Sequence, residues 1–151
     1  MNYLEQAVKE WFEFQGYYVR HNIFMVTRKR GGHEGEADVL AIHPKTSMRI
    51  HIECDTAADR SDRWKDRMKR KLELAKRELC PDSQIVICPR RYGKPVSGET
   101  VLTIDEFFGM VRKEIRKHGR GNRAAVREHW PIIRTVQMCE MGYVNAENLE
   151  A

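Results

Sequence analysis

Residues 35–42 read GEADVLAI and residues 49–55 read RIHIECD, and the six-residue link HPKTSM joins them. Two β-rich runs around a turn-like link of this kind are typical of a β-hairpin. If the link is centred on the turn, Asp38 falls opposite Glu53. Directly opposed residues of an antiparallel pair share one face, and their Cβ atoms lie roughly 4.5–5.5 Å apart. The sequence therefore predicts a close pair of carboxylates on one face of the hairpin.

A close pair of ionised carboxylates needs a positive group between them, because like charges at that distance repel. Carboxylate oxygens are the ligands that hard divalent cations prefer, so Asp38 and Glu53 predict a metal site for Mg²⁺ or Mn²⁺. Such a cation would polarise a phosphoryl oxygen and lower the pKa of an attacking water. The alternative is that both acids are exposed at strand ends and pair with arginines.

The other elements follow from apolar periodicity and from the positions of glycine and proline. Apolar residues at helical spacing predict four helices, at residues 3–15, 61–79, 105–117 and around 130–138. Further β-rich runs predict strands at residues 17–28, 84–88 and 101–104, with a break in the first near His21–Asn22. This order predicts an α/β fold in which a mixed β-sheet is flanked by helices, with an appended C-terminal helix.

The glycine-containing stretch 119–122 is the expected domain boundary. We therefore expect an α/β domain over residues 1–118 and a helical tail over residues 119–151. The apolar residues of the tail indicate that it packs on the domain or on a partner.

Composition excludes several classes of protein. An apolar fraction of 41% in 151 residues is ordinary for a globular chain with one core. The four cysteines include no Cys-x-x-Cys pair, which argues against a zinc ribbon or a disulfide scaffold. No apolar run approaches the roughly 20 residues of a membrane span, and the N-terminus lacks the apolar core of a signal peptide. We expect no membrane partner and a location in the reducing cytoplasm.

Basic residues are concentrated on the predicted helix at 61–79 and just before it. Lysine and arginine neutralise phosphates and release counterions, so a basic helix beside an acidic metal site suits a phosphodiester substrate. The candidate nucleic-acid-binding residues are Arg60, Arg63, Lys65 and Lys69. We expect binding directed at the backbone, because the chain has no motif for reading bases. A solvated helix face is the alternative.

Taken together, these motifs resemble the PD-(D/E)xK nuclease superfamily, whose fold is restriction-endonuclease-like and which includes Holliday-junction resolvase-like enzymes. The matching segments are LEQAV at 4–8, GYYV at 16–19, GEADVLA at 35–41 and IHIECD at 50–55. The resemblance implies a helix glutamate at Glu5, a first hairpin carboxylate at Asp38 and a second at Glu53. It implies Mg²⁺- or Mn²⁺-dependent hydrolysis of phosphodiester bonds in DNA by an endonuclease or exonuclease, with RNA as an alternative substrate. By analogy with nucleases that cut two strands, it also allows a homodimer.

The chain departs from the family pattern two residues after Glu53. The family has a lysine there, which positions the attacking water and stabilises charge on the phosphate, whereas this chain has Asp55. Asp55 shares a face with Glu53 because side chains alternate along a strand, and it joins Glu5, Asp38 and Glu53 as a candidate catalytic residue. Three explanations stay open. The first is that a basic residue from elsewhere replaces the lysine, with Lys45, Arg60 and Lys65 as candidates. The second is that the extra acid binds a second metal. The third is that the protein is a catalytically silent nucleic-acid-binding module.

Two further residues need an interpretation. His51 is predicted on the same face as Glu53, but the histidines show no His-x-x-His spacing, so a satisfied or exposed histidine is the preferred interpretation over a metal ligand. Trp64 begins the apolar stripe of the helix at 61–79, and a core position is preferred over a base-stacking one.

Overall fold

Five strands form a mixed sheet in the computed structural model, which describes residues 1–57, 61–119 and 126–140. The strands are β1 (Tyr18–Thr27), β2 (His33–Ile42), β3 (Arg49–Cys54), β4 (Ser83–Cys88) and β5 (Thr100–Thr103), and they lie side by side in that order. The first three are antiparallel, whereas β3, β4 and β5 are parallel. The helices are α1 (Tyr3–Phe14), α2 (Asp62–Leu79), α3 (Ile104–Gly119) and α4 (Pro131–Glu140). The predicted α/β fold with a mixed sheet flanked by helices is confirmed.

Two compact units make up the chain, Met1–Ile104 and Asp105–Ala151, and each is described by itself. The first contains the sheet, α1 and α2. In the second, the guanidinium groups of Arg112 and Arg116 both pair with the carboxylate of Glu140. The predicted boundary between residues 118 and 119 stays a prediction. Among the described residues, every helix is too short or too polar to cross a bilayer.

Helix α1 begins and ends as its sequence predicts. The side chain of Asn2 accepts a hydrogen bond from Glu5 N at 2.9 Å, and the Glu5 carboxylate accepts one from Asn2 N at 3.0 Å. This reciprocal capping box satisfies two backbone donors that the helix itself leaves unpaired. Gly16 follows the end of the helix with a φ of 88°, a left-handed conformation that glycine adopts without steric cost.

Helix α2 packs on the sheet through one apolar stripe. Ser61 caps its N-terminus by accepting a hydrogen bond from Trp64 N, and Cys80 follows its end with a φ of 46°. The buried stripe comprises Trp64, Met68, Leu72 and Ala75. Its first three residues form one core cluster with Val86, Cys88, Tyr92 and Val101 of the β4–β5 region. The interpretation of Trp64 as a core residue agrees with its exposure of 2%.

The loop between β4 and β5 is organised around the buried carboxylate of Glu99. Its oxygens accept hydrogen bonds from Val96 N at 2.9 Å and Ser97 N at 2.7 Å, and from the Tyr92 hydroxyl. The ring of Tyr92 meets that of Trp64 edge-on, with centroids 4.9 Å apart. Glu99 therefore fixes a loop that supports the first turn of α2.

Strand β1 is continuous through the predicted break, but its backbone is distorted there. Asn22 has a φ of 51° and Val26 a φ of 53°, and the pairing with β2 passes over both residues. Asparagine visits the left-handed region routinely, whereas a β-branched valine does so only when the surrounding structure holds it there. The predicted break at His21–Asn22 is thus a local distortion rather than the end of a strand.

Candidate active site

Asp38 and Glu53 lie at the end of the paired part of the β2–β3 hairpin. The register runs from Ile42 opposite Arg49 to Val39 opposite Ile52, and its next step sets Asp38 across from Glu53, as the sequence predicts. Asp38 Oδ2 also accepts a hydrogen bond from Cys54 N at 2.8 Å. The carboxylate of Asp38 therefore reaches over β3 at the position where the two strands stop pairing.

The positive group between the two carboxylates is Lys71, a residue that the sequence analysis missed. Its Nζ lies 2.9 Å from Asp38 Oδ1 and is in ion-pair contact with Glu53 Oε2. Burial alone would lower the pKa of Lys71, but the charges of Glu53 and Asp38 outweigh it and hold that pKa above its ordinary value. Lys71 is therefore a permanent cation at neutral pH.

The residues proposed as lysine replacements lie elsewhere or outside the described residues. Lys45 belongs to the link between β2 and β3, and Lys65 pairs with Asp62 at 3.6 Å. Arg60 lies outside the described residues. A helical signal could have identified Lys71, because it lies three residues after Met68 and four before Ala75, on the buried stripe of α2.

Glu53 is fully buried, and its carboxylate contacts His51 and Lys71. Burial raises the pKa of Glu53, and the hydrogen bond from His51 and the charge of Lys71 reduce that rise. Glu53 Oε1 lies 2.7 Å from His51 Nε2. His51 is also fully buried, so it is the satisfied histidine that its preferred interpretation describes.

Gln84 on β4 fixes the tautomer of His51. Its amide nitrogen lies 2.9 Å from the carbonyl oxygen of Leu72, which can only accept a hydrogen bond. The same nitrogen lies 3.0 Å from His51 Nδ1. Because an amide nitrogen donates, His51 Nδ1 is the acceptor and the neutral ring carries its proton on Nε2. Nε2–H therefore donates to Glu53, and the carboxylate is oriented by a chain that ends in the backbone of α2.

All four predicted catalytic acids line one cleft of about 370 Å³, together with Cys54, Arg67, Met68 and Lys71. Glu5 is at its rim, where its carboxylate accepts hydrogen bonds from Asn2 N and from Asn2 Nδ2 at 2.8 Å. Asp55 accepts from Trp64 Nε1 and from Ala57 N at 2.7 Å. The structure thus brings the acids together, and it gives Glu5 and Asp55 local structural contacts as well. We call this cavity the acidic cleft.

The acidic cleft suits a magnesium ion in one particular way. Within residues 1–57, 61–119 and 126–140, no group of three or more His, Cys, Asp or Glu side chains is arranged to hold a metal. Mg²⁺, however, usually binds one or two carboxylates and takes its other ligands from water and substrate phosphates. Asp38 and Glu53 offer that pair, and the partner of the buried Glu53 Oε2 is the ammonium of Lys71. A cation would have to displace the ammonium of Lys71 from between them.

The predicted nucleic-acid-binding residues fall into different environments. Arg63 lines a cleft of about 380 Å³ with Trp64, Arg67 and Arg70. Lys69 lies 3.9 Å from Glu73, and neither it nor Lys65 lines any of the three clefts described here. The largest of these clefts, about 710 Å³, is lined by arginines that the sequence analysis did not select, namely Arg28, Arg67, Arg70 and Arg77.

Comparisons with known proteins identify the fold. No family model and no curated protein matches the chain. One similar solved structure is a protein of unknown function, AF1548, with a TM-score of 0.52 and 11% identity over 91% of this chain and 97% of that one. Another is the small subunit of the heterodimeric restriction endonuclease R.BspD6I, with a TM-score of 0.52 and 17% identity over 95% of this chain and 90% of that one. The chain therefore has a restriction-endonuclease-like fold.

Proposed function

We propose that this protein is a nuclease that hydrolyses phosphodiester bonds, with DNA as the expected substrate and Mg²⁺ or Mn²⁺ as the cofactor. The observation that carries the proposal is the contact of Lys71 with both Asp38 and Glu53. This contact puts an ammonium beside the acid pair although Asp55 stands where the family pattern has its lysine. The fold shared with the small subunit of R.BspD6I supports the same class of activity.

Asp38 and Glu53 would hold the metal, which when bound polarises a phosphoryl oxygen and acidifies a water. Asp38 is kept in place by Cys54 N, and Glu53 by His51 Nε2. These hydrogen bonds fix the two carboxylates, so the main rearrangement that metal binding requires is movement of the Lys71 ammonium from between them.

Lys71 contributes charge rather than proton transfer. Its raised pKa keeps the ammonium protonated at neutral pH, so it is a poor general base. A substrate phosphate in the acidic cleft brings negative charge beside Nζ, and that charge grows in the transition state. An ammonium directed at developing charge in a partly buried site stabilises the transition state more than the ground state.

Cleavage of a labelled DNA panel tests the proposal. The panel holds single strands, blunt duplexes, flaps and four-way junctions, each with Mg²⁺ or Mn²⁺. We expect cleavage by the native protein and a loss of more than about a hundredfold in Asp38→Asn and in Glu53→Gln. Asp66→Asn is the matched control, because Asp66 is an exposed acid on α2 that lines none of the three clefts. Equal activity in all four proteins would overturn the proposal, and so would salt-sensitive binding without cleavage under either metal.

A further inference from the structure

The cleft of about 710 Å³ runs between the β1–β2 hairpin and α2. Arg28 and the segment Glu34–Glu36 line its hairpin side, and α2 lines the other. The helix contributes Arg67, Arg70 and Arg77 among its lining residues. At about 1.5 Å of rise per residue, Arg67 and Arg77 are separated by about 15 Å along the axis. We call this cavity the arginine cleft.

Arg67 and Lys71 line both the arginine cleft and the acidic cleft, so the two cavities meet at these side chains. The guanidinium of Arg67 is exposed, and within the described part of the chain it makes neither a hydrogen bond nor an ion pair. A guanidinium presents a planar fork of donors that matches phosphate oxygens. Arg67 is therefore available to bind a phosphate at the junction of the two clefts.

Acidic residues restrict where a polyanion can lie in the arginine cleft. Glu34, Glu36 and Glu73 also line it, and Glu34 lies 3.9 Å from Arg77. These carboxylates repel phosphates, so a polyanion is expected to lie along the arginines rather than throughout the cleft. Leu74 is the apolar side chain in the lining, and no aromatic ring of the described residues lines the cleft. Binding there would therefore use the backbone of a nucleic acid rather than stack its bases.

The arginine cleft is too small to enclose a double helix. Its volume of about 710 Å³ is that of a small-molecule pocket, for which roughly 300–1,000 Å³ is usual. Its walls also approach closely, because a Cβ on Gly35 would lie 2.8 Å from Leu74 Cδ2. The two backbones of a duplex are separated by a groove of roughly 6 or 12 Å, so a cleft of this size suits one sugar-phosphate strand rather than both.

We propose that the arginine cleft binds the backbone of one single strand of nucleic acid, next to the phosphate that is cleaved in the acidic cleft. The placement of the scissile phosphate rests on the proposed nuclease function, whereas binding of the strand does not. The substrate is then a nucleic acid that is unpaired on at least one side of the cleavage position.

Binding without metal tests this proposal separately from cleavage. The assay is fluorescence anisotropy of a labelled oligothymidylate in EDTA over a series of salt concentrations, with a blunt duplex of equal length for comparison. Arg70→Ala/Arg77→Ala removes two arginines of the cleft. The matched control, Lys65→Ala/Lys69→Ala, removes two positive charges from the same helix but outside the clefts.

We expect the native protein and the control to prefer the single strand, and the arginine variant to bind it roughly tenfold or more weakly. The salt dependence of log K should become shallower by about 0.7 for each arginine removed, and the control should keep the native slope. Equal losses in both variants, or equal affinity of the native protein for duplex and single strand, would overturn the proposal.

The two proposals can fail independently. Strand binding that depends on Arg70 and Arg77, with no cleavage under any metal, supports the arginine cleft and refutes the nuclease. Cleavage that depends on Asp38, with strand binding unaffected by the arginine substitutions, supports the nuclease and refutes the arginine cleft.

Discussion

Lys71 Nζ lies 2.9 Å from Asp38 Oδ1, although 33 positions separate the two residues in the sequence. In the pattern that the chain resembles, the lysine belongs to the strand of the second acid. Here the ammonium reaches the acids from α2, and the strand position is taken by Asp55, whose oxygens accept hydrogen bonds from Trp64 and Ala57. The positive charge at this site therefore comes from α2, and not from the strand of the second acid as the pattern implies.

Replacement of Lys71 tests whether its charge is catalytic. Lys71→Met should lower DNA cleavage by more than about a hundredfold, because it removes the cation directed at the phosphate. The measurement is the single-turnover rate, with Lys69→Met as the matched control on an exposed position of α2. Near-native cleavage by a folded Lys71→Met protein would exclude a catalytic role.

His51 is a positioning residue for Glu53, and its loss should reduce metal affinity or turnover by roughly 10- to 100-fold, as for other groups that orient metal ligands. His51→Ala leaves the carboxylate without its ring donor, whereas His51→Gln keeps a donating nitrogen and should restore part of the activity. Measuring the cleavage rate over a series of metal concentrations separates the effect on metal affinity from the effect on turnover. If both variants lose stability but bind metal with native affinity, His51 is only a core residue.

Asp55 should matter less for cleavage than Glu53. Both of its oxygens already accept hydrogen bonds from the protein, so we expect Asp55→Asn to retain activity within roughly tenfold. Glu53→Gln, assayed beside it, should be nearly inactive. A loss in Asp55→Asn as large as that in Glu53→Gln would instead support a second metal held by the extra acid.

The contact between Gly35 and Leu74 should be sensitive to a single methyl group. A Cβ at position 35 would lie 2.8 Å from Leu74 Cδ2 and 3.5 Å from Met25 Cε, so Gly35→Ala should lower the free energy of unfolding by roughly 1–3 kcal/mol. Leu74→Ala opens the space, and the double variant should be more stable than the sum of the single effects predicts. Additive effects in urea denaturation would show that the two positions do not touch.

Acid should weaken the loop that Glu99 organises. Burial alone would raise the pKa of Glu99, but hydrogen bonds from Tyr92, Val96 and Ser97 outweigh it and the pKa is lowered. A carboxyl group with a lowered pKa stabilises the folded state above its unfolded pKa, and this contribution is lost as the pH falls through the folded value. Glu99→Gln should therefore lower the free energy of unfolding by roughly 1–3 kcal/mol at neutral pH. At a pH below the ordinary pKa range of glutamate, the same substitution should have little effect.

Urea unfolding at several pH values measures that difference. Glu34→Gln is the control, since Glu34 lies on the exposed end of the β1–β2 hairpin. A cost for Glu99→Gln that stays constant down to acid pH would contradict the lowered pKa.

Local patterns in the sequence were sufficient to predict the fold and the opposition of the two acids. The link at 43–48 is symmetric about the turn, so the opposition of Asp38 and Glu53 follows from counting outward, and the observed register agrees. The helices and the apolar stripe of α2 were equally predictable, because their signals lie within a few residues of each other.

The basic partner was not predictable from neighbours in the sequence. Lys71 is one of many basic residues on α2, and composition alone made the whole helix a candidate surface. What distinguishes it is its angular position on the buried stripe, between Met68 and Ala75. Lys65 and Lys69 were chosen from the basic surplus of the whole helix, whereas the clefts depend on how α2 crosses the hairpin.

The ammonium of Lys71 also affects how the protein folds. Some small metal-binding domains fold only when their ion binds, because metal binding supplies the free energy of folding. Here the acid pair carries its own counter-charge, on a side chain delivered by the same helix that closes the core. The two carboxylates can therefore be held together in the folded protein without a divalent ion between them.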